Sequence, residues 1–568
     1  MDHQNGEVKE ESPVVVVMVP LPAQGHLNQL LHLSRLISTR GFPVHYVGAA
    51  THNRQAKSRI QGWDPLTISN LKFHDFTVPP FLNHIPNPNS TDKFPTHLIP
   101  TWDAEQYLRE PLAAFLKTLS QNTRRVVVIH DSLMCFVAEE ASFHHNTEAY
   151  CFNSCSVFAL VYFFWELLGK PADGGNLIPS YLAGRGSWDG CFNNDFREVA
   201  ERNREYMNMK LSTGDLYNTC DPIEGEFMKN LTQHPILGEN KNKWAIGPLN
   251  PVHLDSEMNQ TNKCIKWLNI QSPNSVIYVA FGTVTSISDE QITELALGLE
   301  RSGQRFIWVL MDADRGDIYA GKEELRKMQL PDGYEERLEG VGLIVRDWAP
   351  QLDILAHPST GGFISHCGWN SCMESLSMGV PIAACPMQTD QPCNTILVTE
   401  ALKCGVIVRE WVHRDEIVSA EAIETAVRKL MVSKEGKEIR KEADEVGIAI
   451  REAVSKGGSS TTQLDSFLAH ISRACLNNPL QLTDQPCNTI LVTEALKCGV
   501  IVREWVHRDE IVSAEAIETA VRKLMVSKEG KEIRKEADEV GIAIREAVSK
   551  GGSSTTQLDS FLAHISRA

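Results

Sequence analysis

The side chains that could do chemistry concentrate in one stretch, Trp348 to Gln391, which reads WAPQLDILAHPSTGGFISHCGWNSCMESLSMGVPIAACPMQTDQ. Its centre, Ser365-His366-Cys367-Gly368-Trp369-Asn370-Ser371, reads as a strand end, a tight glycine turn and a helix start. Backbone N–H groups at a helix N-terminus carry about half a positive charge and favour phosphate. His366 adds a donor at that turn and Ser371 a hydroxyl. One helical turn further on, Glu374 can accept hydrogen bonds from the two hydroxyls of a ribose. Trp348, opening a loop after a strand, offers a flat surface on which a base could stack. Asp390 and Gln391 supply the acceptor and amide groups that sugar hydroxyls need.

Positioning these groups takes strands and helices in alternation. Val14 to Val19 is a short β-branched apolar run, consistent with a buried parallel strand. Pro20 to His26, with two prolines and a glycine, is loop chemistry. From Leu27 apolar residues recur at Leu30, Leu31, Leu33, Leu36 and Ile37, a helical period that stops at Gly41. Val44 to Val47 and Val126 to Ile129 follow as strands, the latter ending just before Asp131. The second half repeats the pattern: Ser275 to Phe281 a strand, Gly282 to Ser286 a loop, Asp289 to Gly303 a helix. Phe306 to Leu310, Leu343 to Val345, Gly362 to Ser365 and Val380 to Ala383 are its further strands.

The pattern predicts an α/β protein of two doubly wound parallel sheets, with the boundary near Ile246 to Val252. Open α/β sheets bind ligands beyond the carboxyl ends of their strands. His26, Asp131, Thr283 and His366 all follow predicted strand ends, which marks them as site candidates. His130 neighbours Asp131, but strand alternation sends its side chain the other way. His144-His145 reads as a solvated loop, and Cys367 and Cys372 as small packing residues.

Composition sets the outer limits. The 568 residues carry 55 Lys plus Arg against 72 Asp plus Glu, a net charge of −17 that argues against nucleic acid as a partner. Neither a signal peptide nor a membrane-spanning run is read in the chain. The 14 cysteines form no CxxC pair and read as reduced thiols of a cytoplasmic protein. No Asp-x-Asp motif stands out, and no metal is expected.

An internal repeat is exact: Thr389 to Ala474 recurs as Thr483 to Ala568, 86 residues at an offset of 94, with Cys475 to Leu482 between. Functional arrays drift in sequence and use three or more units. Two identical copies, beginning inside another motif, read as a redundant duplication on a 474-residue core. The second Asp-Gln pair, Asp484-Gln485, lacks the preceding turn and helix, so Asp390-Gln391 is taken as the working pair. The unpartnered copy is expected to expose an apolar helix face at Ile448 and Ile450 or their equivalents Ile542 and Ile544, inviting self-association.

The 44-residue stretch resembles, over its full length, the donor-binding signature of plant UDP-dependent glycosyltransferases. The resemblance spans nearly the whole core, including Gly247-Pro248-Leu249, Trp267-Leu268 and Phe281-Gly282-Thr283. In the N-terminal half, PLPAQGHLNQL, PVHYVGAATHNRQA, FPTHLIP and VVVIHDSLM resemble the zeatin O-glucosyltransferase branch. The resemblance implies two Rossmann-like domains facing a cleft, the GT-B arrangement. Residues 1–250 would bind the acceptor and 251–474 the UDP-sugar, with 475–482 a linker and 483–568 the redundant copy.

Residue by residue, it implies that Trp348 stacks on uracil, that Gln351 lies beside base and ribose, and that Glu374 holds the ribose hydroxyls. His366, Asn370, Ser371 and Thr283 would bind the diphosphate, Trp369 would pack by the sugar, and Asp390 and Gln391 would hold it. Cys385 stands where the family usually has Trp, which puts sugar selection in question. The catalytic pair would be His26 as general base and Asp131 as its orienting carboxylate. No cofactor is implied beyond UDP-glucose as co-substrate, with UDP-xylose a second donor. The acceptor implied is a small hydroxylated molecule, first a zeatin-type cytokinin; flavonoid, phenolic and terpenoid hydroxyls are alternatives, as is an impaired UDP-sugar-binding homologue. A nicotinamide oxidoreductase would need GxGxxG after the first strand, and PLPAQGHL does not supply it.

Overall fold

Val14–Val19 forms strand β1 with every side chain buried, because β-branched residues on both faces suit a parallel sheet covered on each side. Our computed structural model describes residues 14–472 except 80–82, 91, 172–176, 197, 199–200, 202–208, 210, 235–241, 255–260, 315–317, 320–325 and 327, and also 492–493, 496–502, 513–549 and 553. The chain divides into two compact units, Met1–Cys475 and Leu476–Ala568.

The first unit holds two all-parallel sheets. One has the order β3-β2-β1-β4-β5-β6-β7, with β2 Val44–Ala49, β3 Leu71–Phe76, β4 Arg125–Asp131, β5 Thr147–Asn153, β6 Ser212–Tyr217 and β7 Asn242–Ala245. The other has the order β10-β9-β8-β11-β12-β13. Its strands are β8 Val276–Ala280, β9 Arg305–Val309, β10 Gly342–Val345, β11 Thr360–Ser365, β12 Ile382–Ala384 and β13 Gly405–Ile407. In each sheet the chain reverses its direction of winding between two central strands, β1 and β4 or β8 and β11. A crevice opens beyond strand ends at such a switch point. The doubly wound reading therefore holds for both halves.

Two boundaries differ from expectation in ways that matter for the site. The first helix begins at Gln24, not Leu27, since the Leu27 amide already bonds the Ala23 carbonyl. His26 thus sits in the first helical turn; apolar periodicity could not reveal a start made of Gln, Gly and His. Strand β4 runs through Asp131, so this carboxylate is the last residue of the strand rather than the first of the loop. Elsewhere local signals and structure agree. Helix Asp289–Ser302 is capped by Ser288, whose Oγ accepts from the Gln291 amide, and ends at Gly303 with φ +68°.

Helix Ser459–Ser472 closes the first unit by returning to the first sheet. Leu464, Phe467, Leu468 and Ile471 enter the core formed by β1, β2 and β4, and Arg125 donates to the Ile471 carbonyl at 2.9 Å. In the first copy of the repeat, Ile450 is fully buried while Ile448 is 45% exposed. The second unit contains helices Ala514–Val526 and Lys528–Val548, in which Ile542 and Ile544 are 49% and 59% exposed. The face expected of an unpartnered copy is thus exposed in the second unit; Ile448 faces solvent in the first copy as well, so of these two pairs it is Ile450 against Ile544 that separates a packed helix from an unpacked one. Asp484 and Gln485 lie outside the described residues. Among the described residues no helix is long and apolar enough to cross a membrane.

Candidate active site

A cavity of about 390 Å³ opens where the two sheets present their strand ends. Of the twelve nominated residues, eleven line it: His26, Thr283, Trp348, Gln351, His366, Trp369, Asn370, Ser371, Glu374, Asp390 and Gln391. The twelfth, Asp131, is wholly buried behind His26.

His26 Nδ1 lies 2.7 Å from Asp131 Oδ2, and because an ionised carboxylate only accepts, Nδ1 carries the proton. Ser154 Oγ, at 2.9 Å from the same nitrogen, shares that proton. The other Asp131 oxygen accepts from the Leu133 amide at 3.0 Å, fixing the carboxylate at the end of β4. With Nδ1 engaged, Nε2 is the ring's remaining acceptor. Burial works to lower the imidazole pKa, but the charge and hydrogen bond of Asp131, with help from the charge of Asp390, carry it above its ordinary value. The neighbouring His130 is buried and uses Nδ1 on the Asp131 carbonyl and Nε2 on Ser212.

Opposite stands the turn between β11 and helix Trp369–Ser377. Its backbone is unusual: Cys367 has φ +63°. A non-glycine residue in that region costs energy and persists only where its surroundings hold it. The His366 ring fits between two glycines, since a Cβ on Gly282 or Gly368 would come 2.6 Å or 2.5 Å from His366 Nε2. Burial lowers the His366 pKa to about 4, against the opposing Ala280 carbonyl, so the ring is neutral. Among the described residues lining the cavity none is Lys or Arg. An anion there is met by the helix N-terminus and by neutral donors.

Gln351 ties Ser371, Glu374 and Tyr278 together. Its Nε2 donates to Ser371 Oγ at 3.0 Å and to Glu374 Oε2 at 2.7 Å, and Tyr278 donates to its Oε1 at 3.3 Å. Burial raises the Glu374 pKa to about 7, with the Gln351 hydrogen bond opposing. Trp369 is buried, its Nε1 donating to the Asn218 carbonyl at 2.8 Å. Gln391 Oε1 accepts from the Met387 and Gln388 amides, which leaves its NH₂ for a ligand. Asp390 Oδ2 accepts from Asn394 at 2.9 Å, and burial raises its pKa above the ordinary carboxylate value. Thr389, just before it, has φ +54°, a second strained residue at the cavity wall.

Cys385 is not on that wall. It is buried in the apolar core of the second sheet, one residue beyond β12, so it makes no direct contact with a ligand in the cavity. The run Asp312-Ala313-Asp314 does have Asp-x-Asp spelling, which the sequence reading passed over. Its carboxylates are already engaged, Asp312 by Ser286 and Asp314 by Arg59. Among the described residues no group of three His, Cys, Asp or Glu side chains could hold a metal ion.

Sequence reasoning also missed the far wall. Trp188 and Phe192 stack at 4.9 Å and Phe192 and Phe196 at 4.5 Å, with Phe94 against Phe196 at 5.0 Å. The spacing of Trp188, Phe192 and Phe196, four residues apart, was the available signal. Ser154 had none, lying 128 residues from His26.

Residues 12–251 match the glycosyltransferase N-terminal domain family, and residues 249–441 the UDP-glucoronosyl and UDP-glucosyl transferase family. A zeatin O-glucosyltransferase from Phaseolus lunatus is 49% identical over 82% of this chain and 98% of its own length. A zeatin O-xylosyltransferase from Phaseolus vulgaris is 47% identical over 82% of this chain and 100% of its own. A transferase from Siraitia grosvenorii, solved in complex with UDP, superposes with a TM-score of 0.59 at 26% identity, covering 81% of this chain and 100% of that one. The paired parallel-sheet domains have the GT-B arrangement of such neighbours. With relatives matched along nearly their full length, the chain belongs to the UDP-glycosyltransferases, enzymes for which a UDP-sugar is the co-substrate.

Proposed function

We propose that the protein is an inverting UDP-glucose-dependent O-glucosyltransferase whose acceptor is a zeatin-type cytokinin hydroxyl. One observation carries the mechanism: the 2.7 Å contact of His26 Nδ1 with Asp131, beside a cavity that also holds the donor-box residues. His26 Nε2 removes the proton from the acceptor hydroxyl as its oxygen attacks the anomeric carbon from the face opposite UDP. The new oxygen–carbon bond forms as the bond to the diphosphate breaks, inverting the centre. The proton stays on the imidazolium, which Asp131 stabilises, until solvent takes it. Negative charge gathers on the departing UDP, where the Trp369–Ser377 helix N-terminus and His366 stand. General-base assistance contributes roughly 10² to 10⁴ in rate, or about 3 to 5 kcal/mol.

In this reading residues 1–250 carry the acceptor side and 251–474 the donor side. The stacked Trp188, Phe192 and Phe196 suit a flat aromatic acceptor, which presents a π-face to such a wall. Asp390 and the Gln391 amide hold the sugar, Trp348 and Glu374 the uridine, and Thr283, Asn370 and Ser371 the diphosphate. UDP-xylose is the second reading for the donor, favoured by the relative named for xylosyl transfer. The cytoplasm is the proposed compartment, and self-association through the second copy is the proposed further contact. Ile517, Val521, Met525 and Ile544 are 47%, 54%, 59% and 59% exposed there.

The test is turnover by the full chain with UDP-glucose or UDP-xylose and trans-zeatin, cis-zeatin or a flavonol, with product identified by mass. A zeatin O-glucoside that His26→Ala abolishes is the expected result. Transfer to the flavonol alone would overturn the acceptor and leave the mechanism standing. A monomer by light scattering at high concentration would overturn the self-association.

A further inference from the structure

Arg59 ends the helix Ala50–Arg59 of the first sheet's half, yet its guanidinium reaches residues of the second. Its guanidinium forms a two-pronged ion pair with Asp314, Nη2 to Oδ1 at 3.1 Å and Nη1 to Oδ2. Its Cζ lies 4.5 Å from the ring centroid of Trp348. The pair is shielded, with side-chain exposures of 10% and 12%. Trp348 borders two hollows. One is the cavity of the proposed active site, which Arg59 does not line, and the other is a neighbouring cleft that it does.

Two further contacts fix this junction. The Asp314 amide donates to the Thr283 carbonyl at 2.8 Å, so the ion pair is tied to the loop after β8. Gln61, two residues beyond Arg59, accepts from the Leu352 amide at 2.8 Å and so holds the helix that begins at Gln351.

We infer that Arg59 is a positioning residue for nucleotide binding: from the opposite half it clamps Trp348 against Asp314 and holds the indole where a uracil base stacks. The inference rests on reading Trp348 as the base platform. The chemistry suits arginine in particular. A planar guanidinium can stack on an indole while its fork grips a carboxylate, and an ammonium cannot do both. A ring with freedom to turn binds a base less well, because the free protein then spends part of its time in unproductive orientations. The clamp also makes closure of the two halves part of donor recognition.

The experiment is calorimetric titration of the full chain with UDP for the parent, Arg59→Lys, Trp348→Ala and the double variant. Arg59→Lys keeps a charge beside Asp314 but loses the stacked plane. It should weaken UDP binding about fivefold or more, the scale of typical coupling between linked positions, with acceptor KM unchanged. In the Trp348→Ala background the same substitution should add less than about twofold, since non-additivity is the mark of direct coupling. Parent-like UDP binding by Arg59→Lys, alongside a loss in Trp348→Ala, would overturn the clamp alone. An equal loss from Arg59→Lys in both backgrounds would also overturn it, by showing a general structural effect. Undiminished binding by Trp348→Ala would overturn the base platform and the clamp with it. Should Arg59→Lys fail to fold, Arg59→Gln with Asp314→Asn removes both charges together, and the same comparison is read from it.

Discussion

The side-chain amide of Asn370 donates to the backbone carbonyl of Gly25 at 2.8 Å. Asn370 lies in the first turn of the helix whose N-terminus faces the cavity, and Gly25 directly precedes His26 in the first turn of its helix. That hydrogen bond joins the helix N-terminus at the cavity to the turn that carries His26, the proposed general base. Because the two residues belong to the halves of different sheets, the distance from His26 to the turn at His366 depends on how the halves meet.

Asn370→Ala should lower kcat by about 10-fold to 100-fold, the penalty that small misplacements of reacting groups carry. Steady-state kinetics checks this, with a thermal unfolding scan to show that the fold persists. An unchanged kcat would mean that the bond does not set the reacting distance.

The pH profile follows from the direction of the His26 shift. As the proposed base, His26 works only when neutral, and Asp131 holds its pKa above the ordinary histidine value, so the acidic limb of kcat/KM should lie above that of an unperturbed histidine. Asp131→Asn removes the charge that raises the pKa and leaves burial to lower it. The limb should move to lower pH while the plateau drops by roughly 10² to 10⁴, since the imidazolium loses its partner. A limb that stays in place would assign it to another group.

Glu374 should add a second loss on the acid side, this time in binding. In the proposed role, as a carboxylate it would accept from both ribose hydroxyls; protonated, it would lose acceptor capacity. With its pKa raised to about 7 by burial, UDP-glucose affinity should fall as the pH drops from 8 to 6. Glu374→Gln should bind more weakly and lose this dependence. Titrating both proteins with UDP-glucose, whose diphosphate does not change charge in that window, gives the Glu374 contribution as the difference between them.

Gly282 has φ +75°, and a Cβ there would meet the His366 ring at 2.6 Å. Gly282→Ala should therefore cost more than about 1 kcal/mol through the backbone alone and also displace His366. A loss of UDP affinity larger than the loss of stability, read by calorimetry and denaturant unfolding, is expected.

Much of this site was legible because its parts are local. The turn at His366 to Gly368 and the helix after it are adjacent residues, and Val14–Val19 is apolar throughout, so the strand ends that carry chemistry could be read. What stayed hidden depends on distance along the chain. Arg59 and Asp314 are 255 residues apart, and no periodicity in either segment points to the other. Cys385 shows the converse. It is close in sequence to Asp390, yet it turns into the core, and position in a motif did not tell which way it points. The strands Thr147–Asn153 and Ser212–Tyr217 mix polar and apolar residues, and their membership in the sheet is set by pairing with β4 and β7.

The exact repeat permits a test that few proteins allow, the same substitution at two identical positions. Ile450 is fully buried in a core with Ala443 and Ala453, and Ile544, its equivalent, is 59% exposed. Truncating a buried isoleucine to alanine costs about 2 to 5 kcal/mol, and the same change on a surface stays within about 0.5 kcal/mol. Ile450→Ala should therefore lower the unfolding midpoint of the full chain and Ile544→Ala should not. If the second copy could take the place of the first, it would supply an intact isoleucine to the vacated core, and the Ile450→Ala loss would shrink in the full chain relative to a chain ending at Ala474. Equal losses in the two lengths would show that the copies do not exchange. In that case the first copy alone would complete the site, because Asp390 and Gln391 are continuous with the helix that follows β12 and line the cavity from within the first unit.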